Sequence, residues 1–265
     1  MSEPGEAWAA GSTYEEFMGR WSRMLAPHFV SWLQVPGGTH WLDVGCGTGG
    51  LTTAICEIAD PASAVGCDPA EPFVAYAQQN SQDSRASFMV AGIGSLPVHA
   101  EGYGSISSLF ALNFFPDPPA AVAEMRSLSV SGGTVSACVW DYAGRMEFLR
   151  HFWAAASAED PAAERLDEGG RFPICRPEAL SDLFLQAGLG DVSGNAIEIT
   201  TRFASFDDYW RPFLGATGPA PTYVASLDDD HRAALASRLE RALPSQADGT
   251  IILTARAWAV RGTVD

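Results

Sequence analysis

The chain has 265 residues and is acidic, with 32 Asp and Glu against 16 Lys and Arg and a formal net charge of −16 at pH 7. Such a surface repels polyanions, so the composition argues against nucleic acid as a substrate or partner. No apolar run approaches the roughly 18 residues that a membrane span needs, and the N-terminus lacks the basic residues of a signal peptide. We therefore expect one soluble, cytoplasmic domain over residues 1–265 with no membrane partner. Five cysteines in apolar segments, without paired spacing, are predicted to be reduced core residues.

The hydrophobic pattern alternates between strand-like and helix-like segments along the chain. A polar tail leads into an amphipathic pattern that predicts a helix over Tyr14–Leu33. Alternation of strands with helices predicts a parallel, doubly wound α/β sheet with right-handed crossovers. The predicted strands lie near residues 39–44, 63–67, 86–91, 105–110, 133–140, 191–203 and 249–260.

A turn with three alternate glycines follows the first predicted strand. Gly45, Gly47 and Gly49 lack a Cβ atom, so they can adopt positive φ and let a ligand touch the backbone. Thr48 is predicted to open the helix that follows. A turn of this composition indicates a small-molecule site, although glycines also serve ordinary turns between strands and helices.

An acid follows at the spacing that a nucleoside site requires. Asp68 ends an apolar segment 19 residues after Gly49, where a doubly wound sheet offers a carboxylate to ribose hydroxyls. The alternative is that Asp68 only starts a helix over residues 70–79. The third glycine comes one residue too early for the Gly-x-Gly-x-x-Gly fingerprint, which argues against a nicotinamide dinucleotide.

These residues resemble the S-adenosylmethionine site of class I methyltransferases, in particular the small-molecule branch that includes the ubiquinone and menaquinone biosynthesis enzymes. The likeness covers about residues 39 to 141. It is carried by the segments Asp43–Gly49 with Asp68, Ser95–Pro97, Phe110–Asp117 and Ser131–Thr134.

The resemblance implies a Rossmann-like sheet of seven strands, mostly parallel with an antiparallel final strand. It also implies S-adenosylmethionine as cofactor and a small-molecule substrate. Asp141 at the end of the fifth strand could bind substrate or a metal, but no neighbouring Asp-Asn pair supports a metal, so we expect none. The cofactor-binding residues that the resemblance implies are Asp43, Gly45, Cys46, Gly47, Gly49, Asp68, Pro69, Gly92, Ile93 and Phe110, joined by Tyr14 and Arg20 from the first helix.

The chain departs from the family after the third strand. The family usually carries an acid there that holds the adenine amino group, and Gly92 stands at this place. The acid that usually begins strand four is replaced by Gly104. Two interpretations are open: the adenine is held by backbone and apolar contacts around Pro69, Ile93 and Gly94, or cofactor binding has weakened and the fold serves another purpose.

Residues 1–38 are predicted to form an N-terminal helical lid and residues 39–141 the cofactor-binding core. The segments 142–176 and 204–248 contain many large rings and are predicted to form a helical cap over the methyl group. The alternative is that these rings complete the core or form a dimer face. The substrate-binding candidates are Asn113, Trp140, Trp153, Trp210 and Phe213.

The predicted reaction is methyl transfer to an oxygen, nitrogen or carbon of an apolar small molecule, mainly by positioning. A sulfonium methyl is already activated, so alignment supplies most of the acceleration. His151 is the candidate base among five histidines, none of which stands in a decisive motif. A cyclase that uses the cofactor as a scaffold and a non-catalytic binding protein are the alternatives. The protein is expected to be a monomer or homodimer.

Overall fold

The computed structural model describes residues 14–215 and 218–265. The predicted polar tail, the first part of the lid over 1–38 and two positions of the cap segment 204–248 lie outside the described residues. No helix within the described ranges is long and apolar enough to cross a bilayer.

The described chain contains a seven-stranded sheet with the strand order β3-β2-β1-β4-β5-β7-β6. Strands β1 to β5 pair in parallel where they are neighbours, and β7 runs antiparallel to β5. This confirms the predicted Rossmann-like, doubly wound sheet with an antiparallel final strand. The strands are β1 His40–Val44, β2 Ser63–Asp68, β3 Ala86–Val90, β4 Tyr103–Leu109, β5 Ser129–Trp140, β6 Gly190–Phe203 and β7 Ile251–Thr263.

Helices alternate with the strands as the pattern predicted. The predicted first helix begins with a π-helical turn over Glu15–Gly19. The α-helices are α1 Arg20–Leu33, α2 Gly50–Ile58, α3 Glu71–Asn80, α4 Pro118–Leu128, α5 Glu147–Glu159, α6 Glu168–Arg171, α7 Pro177–Gln186, α8 Phe206–Trp210, α9 Pro219–Ser226 and α10 Asp229–Ala242. Short 3₁₀ turns occupy Leu112–Phe114, Pro161–Leu166 and Arg211–Gly215.

The segment Ser131–Thr134 differs from its prediction as a turn before the fifth strand. It lies inside β5, where the pairing with β4 jumps from Ser129 to Thr134 and the intervening residues bulge out. Gly132 has a φ of 76°, which only a glycine adopts without strain. A bulge and a turn share the same glycine composition, so the pattern does not distinguish them.

The chain divides into two compact units. The sheet unit comprises Gly19–Trp140, Ile174–Ile197 and Ala257–Asp265. The helical unit comprises the described part of Met1–Met18 together with Asp141–Pro173 and Glu198–Arg256. Strand β6 begins in the sheet unit and ends in the helical unit, whereas β7 begins in the helical unit and ends in the sheet unit.

The core of the sheet unit lies along its central strands. Trp41 and Leu42 of β1 are fully buried, as are Ile106 of β4 and Val135 of β5. Parallel strands that carry helices on both faces must be apolar on both sides, which explains the continuous apolar segments. All five cysteines are buried and none forms a disulfide.

The core of the helical unit is a cluster of aromatic rings. Phe152 and Phe213 stack with ring centroids 4.6 Å apart and an interplanar angle of 5°. The Tyr209 hydroxyl donates a hydrogen bond of 2.7 Å to the carbonyl oxygen of Phe148, which satisfies its buried polar atom. The cluster contains Phe17, Phe148, Phe152, Trp153, Phe203, Tyr209, Phe213 and Tyr223.

Candidate active site

The glycine turn after β1 has the backbone conformation that its sequence predicts. Gly45, Gly47 and Gly49 have φ values of 75°, 51° and 86°. A Cβ atom on Gly47 would meet nothing within 4 Å, so the turn is open to a ligand at this residue. A Cβ atom on Gly45 would lie 2.4 Å from the Cβ of Ala111, so this glycine is required by packing as well as by φ.

Asp43, the last polar residue of β1, supports the start of the following helix. Its Oδ2 accepts hydrogen bonds from the Thr52 amide (3.1 Å) and hydroxyl (2.7 Å). Burial raises the pKa of Asp43 to about 7, while the Thr52 bonds act in the opposite direction. The prediction that Thr48 caps the helix is wrong, because Gly49 takes the capping position in a left-handed conformation.

Asp68 at the end of β2 joins the second strand to the glycine turn. Its Oδ2 accepts a hydrogen bond from the Gly47 amide (3.0 Å), and its Oδ1 accepts one from the Ala70 amide (2.8 Å). Burial raises the pKa of this carboxyl group, and both amide bonds lower it. Each carboxylate oxygen keeps a lone pair for another donor.

Cys46 in the same turn faces the core of the sheet unit. It packs with Val74, Ala77 and Phe88 in one hydrophobic cluster. Burial raises the pKa of its thiol well above the usual value, so the side chain is neutral. Its contribution to a ligand site would come from its backbone, because the side chain packs inward.

The turn after β4 lies directly against the glycine turn. Phe110 has a φ of 61°, a strained conformation for a bulky residue that typically costs about 1–3 kcal/mol. Its ring stacks on Trp140, the last residue of β5, with centroids 3.9 Å apart. Backbone strain of this kind concentrates at functional sites.

Asn113 follows on the 3₁₀ turn after β4 and is 6% exposed. Neither Oδ1 nor Nδ2 of its side chain has a hydrogen-bond partner within the described ranges. The indole Nε1 of Trp140 is likewise buried and unpaired. Buried polar atoms without partners are uncommon in folded proteins, and each one calls for a bound water, a ligand or local strain as its explanation.

Two arginines extend from helix α1. The Arg20 guanidinium lies over the ring of Trp21, 4.3 Å from its centroid. Arg23, which the sequence interpretation missed, donates a hydrogen bond of 3.4 Å to the Thr48 carbonyl oxygen in the glycine turn. The i, i+3 spacing from Arg20 could have pointed to Arg23.

Comparison with known proteins places these features in a family. Residues 42–137 match the methyltransferase domain family. The demethylmenaquinone methyltransferase of Roseiflexus castenholzii is 30% identical over 165 residues, covering 57% of this chain and 68% of that protein. The chain is a class I S-adenosylmethionine-dependent methyltransferase. Its cofactor is S-adenosylmethionine.

A second sequence relative and two solved structures of similar fold are also similar to this methyltransferase. A 2-phytyl-1,4-naphtoquinone methyltransferase of Thermosynechococcus vestitus is 30% identical over 43% of this chain and 49% of that protein. The Bacillus subtilis YcgJ protein has a TM-score of 0.56 at 15% identity, covering 92% of this chain and 98% of that one. The Haemonchus contortus phosphoethanolamine N-methyltransferase 2, solved with S-adenosyl-L-methionine, has a TM-score of 0.57 at 13% identity, covering 96% and 57%.

Two features of the sheet unit of the methyltransferase match the chemistry of an adenosyl cofactor. The open space at Gly47 admits a ligand against the backbone. Asp68 has acceptor capacity for hydroxyl groups, and it stands at the end of the strand next to β1. The structure brings together the predicted residues at the carboxyl ends of the strands: Asp43, Gly45, Cys46, Gly47, Gly49, Asp68 and Pro69 after β1 and β2, Gly92 and Ile93 in the loop after β3, and Phe110, Asn113 and Trp140 at the ends of β4 and β5.

The remaining predicted residues of the methyltransferase lie in the helical unit. Trp153 and Phe213 are each 1% exposed within the ring cluster, and Trp210 is half-buried. His151 on α5 is half-buried, and burial lowers its pKa. Within the described ranges no hydrogen bond orients its ring. Tyr14 is the first described residue and also belongs to this unit.

Asp141 after β5 has a structural role in the methyltransferase. Its Oδ2 accepts hydrogen bonds from Nε (2.9 Å) and Nη2 (2.7 Å) of Arg256 and from the Arg145 amide (2.8 Å). Its Oδ1 accepts one from the Gly144 amide. Among the residues that the structure describes, no group of three His, Cys, Asp or Glu side chains could hold a metal ion.

Proposed function

We propose that the protein transfers the methyl group of S-adenosylmethionine to a small aromatic acceptor that carries a hydroxyl group, of the quinol type. The two quinone methyltransferases among its relatives support an acceptor of this class. The observation that carries the proposal is the unpaired, buried side chain of Asn113.

The proposed cofactor site uses the turn after β1 and the acid after β2. Gly45, Gly47 and Gly49 line the methionine part, and the free lone pairs of Asp68 accept hydrogen bonds from the ribose hydroxyls. When bound, S-adenosylmethionine supplies a methyl group activated by the positive charge of its sulfur. The residues after β4 and β5 then have to hold the acceptor.

The Asn113 side chain offers a ligand one acceptor atom, Oδ1, and one donor atom, Nδ2. An unmet buried hydrogen-bonding group typically costs about 1–3 kcal/mol, so a ligand that satisfies both atoms is favoured over one that satisfies a single atom. A hydroxyl group donates and accepts, whereas a quinone carbonyl only accepts. The Asn113 side chain therefore favours the reduced, hydroxyl-bearing form of the ring.

The reduced ring is also the form that can react. A quinone ring is poor in electrons, while a quinol carbon or oxygen can attack a methyl group as the sulfur–methyl bond breaks. The acceptor's proton leaves to water. Alignment of the reacting atoms supplies about 7–11 kcal/mol, and a positioned base adds typically a factor of about 10²–10⁴. His151 stays a candidate base, and Trp210 stays a candidate substrate-binding residue from the sequence.

Turnover with matched acceptors tests the proposal. The protein is incubated with S-adenosylmethionine and either a naphthoquinol or its oxidised quinone, and S-adenosylhomocysteine and methylated product are measured by mass spectrometry. We expect turnover with the quinol and at least about tenfold less with the quinone. Asn113→Leu should remove most of this preference, whereas Asn80→Leu, at an exposed position, should not.

Two results would contradict the proposal in different ways. Equal turnover of both forms, or an unchanged preference in Asn113→Leu, would remove Asn113 from the acceptor site. A failure to form S-adenosylhomocysteine with any hydroxylated ring would favour a cyclase that uses the cofactor as a scaffold, or a non-catalytic binding protein.

A further inference from the structure

We propose that a pocket between the end of helix α1 and strands β5, β6 and β7 binds a small zwitterion, namely a free α-amino acid with a polar side chain. The pocket lies within the sheet unit, at the end of β5 that is opposite to the proposed acceptor site. Its charged residues are Arg261 and Asp191. This binding site goes beyond the proposed methyl transfer and does not depend on it.

The pocket lies where β5 begins and the antiparallel β7 ends. Thr134 of β5 pairs there with Thr263 of β7, and β5 continues from this point to Trp140. A strand rises about 3.3 Å per residue, so about 20 Å of sheet separates the pocket from Trp140. The volume of the pocket is about 380 Å³, which is enough for a small molecule. The residues that line it include Leu33, Gln34, Thr134, Asp191, Arg261 and Thr263.

Two non-glycine residues with a left-handed backbone meet at this pocket. Gln34, which follows the last residue of α1, has a φ of 52°, and Asp191, the second residue of β6, has a φ of 47°. Within the described ranges only four non-glycine residues have a positive φ. Such residues typically cost about 1–3 kcal/mol each and concentrate at ligand-binding and active sites. Two of the four at one pocket favour a ligand site over a simple gap between packed elements.

The guanidinium group of Arg261 is held in place at the pocket. Its Nη1 donates hydrogen bonds to the carbonyl oxygens of Trp32 (3.3 Å) and Leu33 (2.6 Å), and its Nε donates one to the Ser193 hydroxyl (3.3 Å). Within residues 14–215 and 218–265, Nη2 forms no hydrogen bond and the guanidinium forms no ion pair. In a chain with 32 acids and 16 bases, an arginine without a carboxylate partner is unexpected. Nη2 is therefore a positioned, charged donor for the carboxylate of a ligand.

Asp191 supplies the opposite charge at the same pocket. Its carboxylate forms no hydrogen bond or ion pair with any residue that the structure describes, so it does not neutralise Arg261. An anion alone would be repelled by Asp191, and a cation alone would be repelled by Arg261. A ligand that carries both a carboxylate and an ammonium group satisfies the two charges together, and this selects a zwitterion.

The uncharged lining of the pocket determines the rest of the ligand. Gln34 carries an amide, and Thr134 and Thr263 carry hydroxyl groups, so each of these side chains can donate and accept hydrogen bonds. A side-chain amide on the ligand also donates and accepts. An amino acid such as L-glutamine therefore matches this lining better than one with an apolar side chain.

Three matched probes test the two charges of the ligand by calorimetry. They are L-glutamine, glutaramate, which lacks the ammonium group, and 4-aminobutanamide, which lacks the carboxylate. Saturating S-adenosylhomocysteine is present throughout, so that the probes do not occupy the methionine part of the cofactor site. We expect L-glutamine to bind at least about tenfold more tightly than either analogue. This comparison leaves Arg261 in place, which holds the end of α1.

Asp191→Asn separates the role of the carboxylate from the fold, because asparagine tolerates the left-handed backbone at this position. We expect the variant to bind L-glutamine at least about tenfold more weakly than the parent. It should bind glutaramate no more weakly than the parent, because the repulsion from Asp191 is gone. Asp182→Asn, which alters an exposed acid on α7, should leave all three affinities unchanged.

Three results would overturn the inference. The first is the absence of L-glutamine binding to the parent. The second is equal affinity of the parent for all three probes, which would mean that the two charges do not select the ligand. The third is an equal loss of affinity for L-glutamine and glutaramate in Asp191→Asn, which would mean that Asp191 only supports the fold.

Discussion

Glu168 makes the stability of the protein depend on pH. It is 3% exposed in the helical unit, where the indole Nε1 of Trp153 donates a hydrogen bond to its carboxylate. Burial raises its pKa from 4.5 to about 7, with the Trp153 bond acting in the opposite direction. A raised pKa means that the folded state favours the protonated acid. The stabilising effect is complete below pH 4.5 and is lost as the pH rises through 7.

The substitution Glu168→Gln removes this charge while it keeps the size of the side chain and an acceptor for Trp153. Each pKa unit corresponds to about 1.4 kcal/mol, so the difference between 4.5 and about 7 corresponds to at most about 3–4 kcal/mol. We expect the variant to match the parent in free energy of unfolding at pH 4.5. At pH 8.5 it should be more stable by about 1–3 kcal/mol.

Urea denaturation at these two pH values measures the difference directly. Glu164→Gln is the matched control, because Glu164 is an exposed acid four residues earlier in the chain. The buried Asp43 titrates in the same range, but it is present in parent and variant, so its effect cancels. An equal difference between variant and parent at both pH values would refute the role assigned to Glu168.

Three further outcomes follow from the structure. Gly45→Ala should lower cofactor affinity at least about tenfold and lower the melting temperature, because the added Cβ would lie 2.4 Å from the Cβ of Ala111 at a φ of 75°. An unchanged affinity and melting temperature, both measured by calorimetry, would contradict the packing argument. Deletion of residues 1–24, which removes the hydrogen bond of Arg23 to the glycine turn, should weaken cofactor binding at least about tenfold, near 1.4 kcal/mol; equal affinity would exclude the helix from the site. His151→Ala should reduce kcat less than about tenfold; complete loss with intact cofactor affinity would identify His151 as the base.

Sequence patterns predicted the sheet and the main cofactor motif because local chemistry determines both. The positive φ of Gly45, Gly47 and Gly49 is possible because these residues have no side chain. The position of Asp68 at the end of the second strand was predicted from the typical length of a strand–helix–strand unit. The strand ends agree with prediction to within a few residues, except in β5, where the early bulge was interpreted as a turn.

Contacts between distant segments could not be predicted in the same way. Glu124 has the pattern of an ordinary helical acid, and only the fold shows that it holds the loop at Gly94 and Leu96. Ala111 fills the space beside Gly45 for a reason that neither residue reveals alone. For Trp153 and Phe213 the sequence does not decide between two roles, because rings that line a pocket and rings that fill a core have the same sequence pattern.

Calorimetric titration of S-adenosylhomocysteine into the parent protein and Asp68→Asn tests the central claim most directly. The account predicts micromolar binding to the parent. Asn at position 68 keeps one acceptor and loses the charge, so it should weaken binding at least about tenfold. Asp60→Asn, at an exposed position after α2, should bind as the parent does. The absence of binding to the parent, or equal binding to Asp68→Asn, would contradict the assignment of the cofactor to this turn.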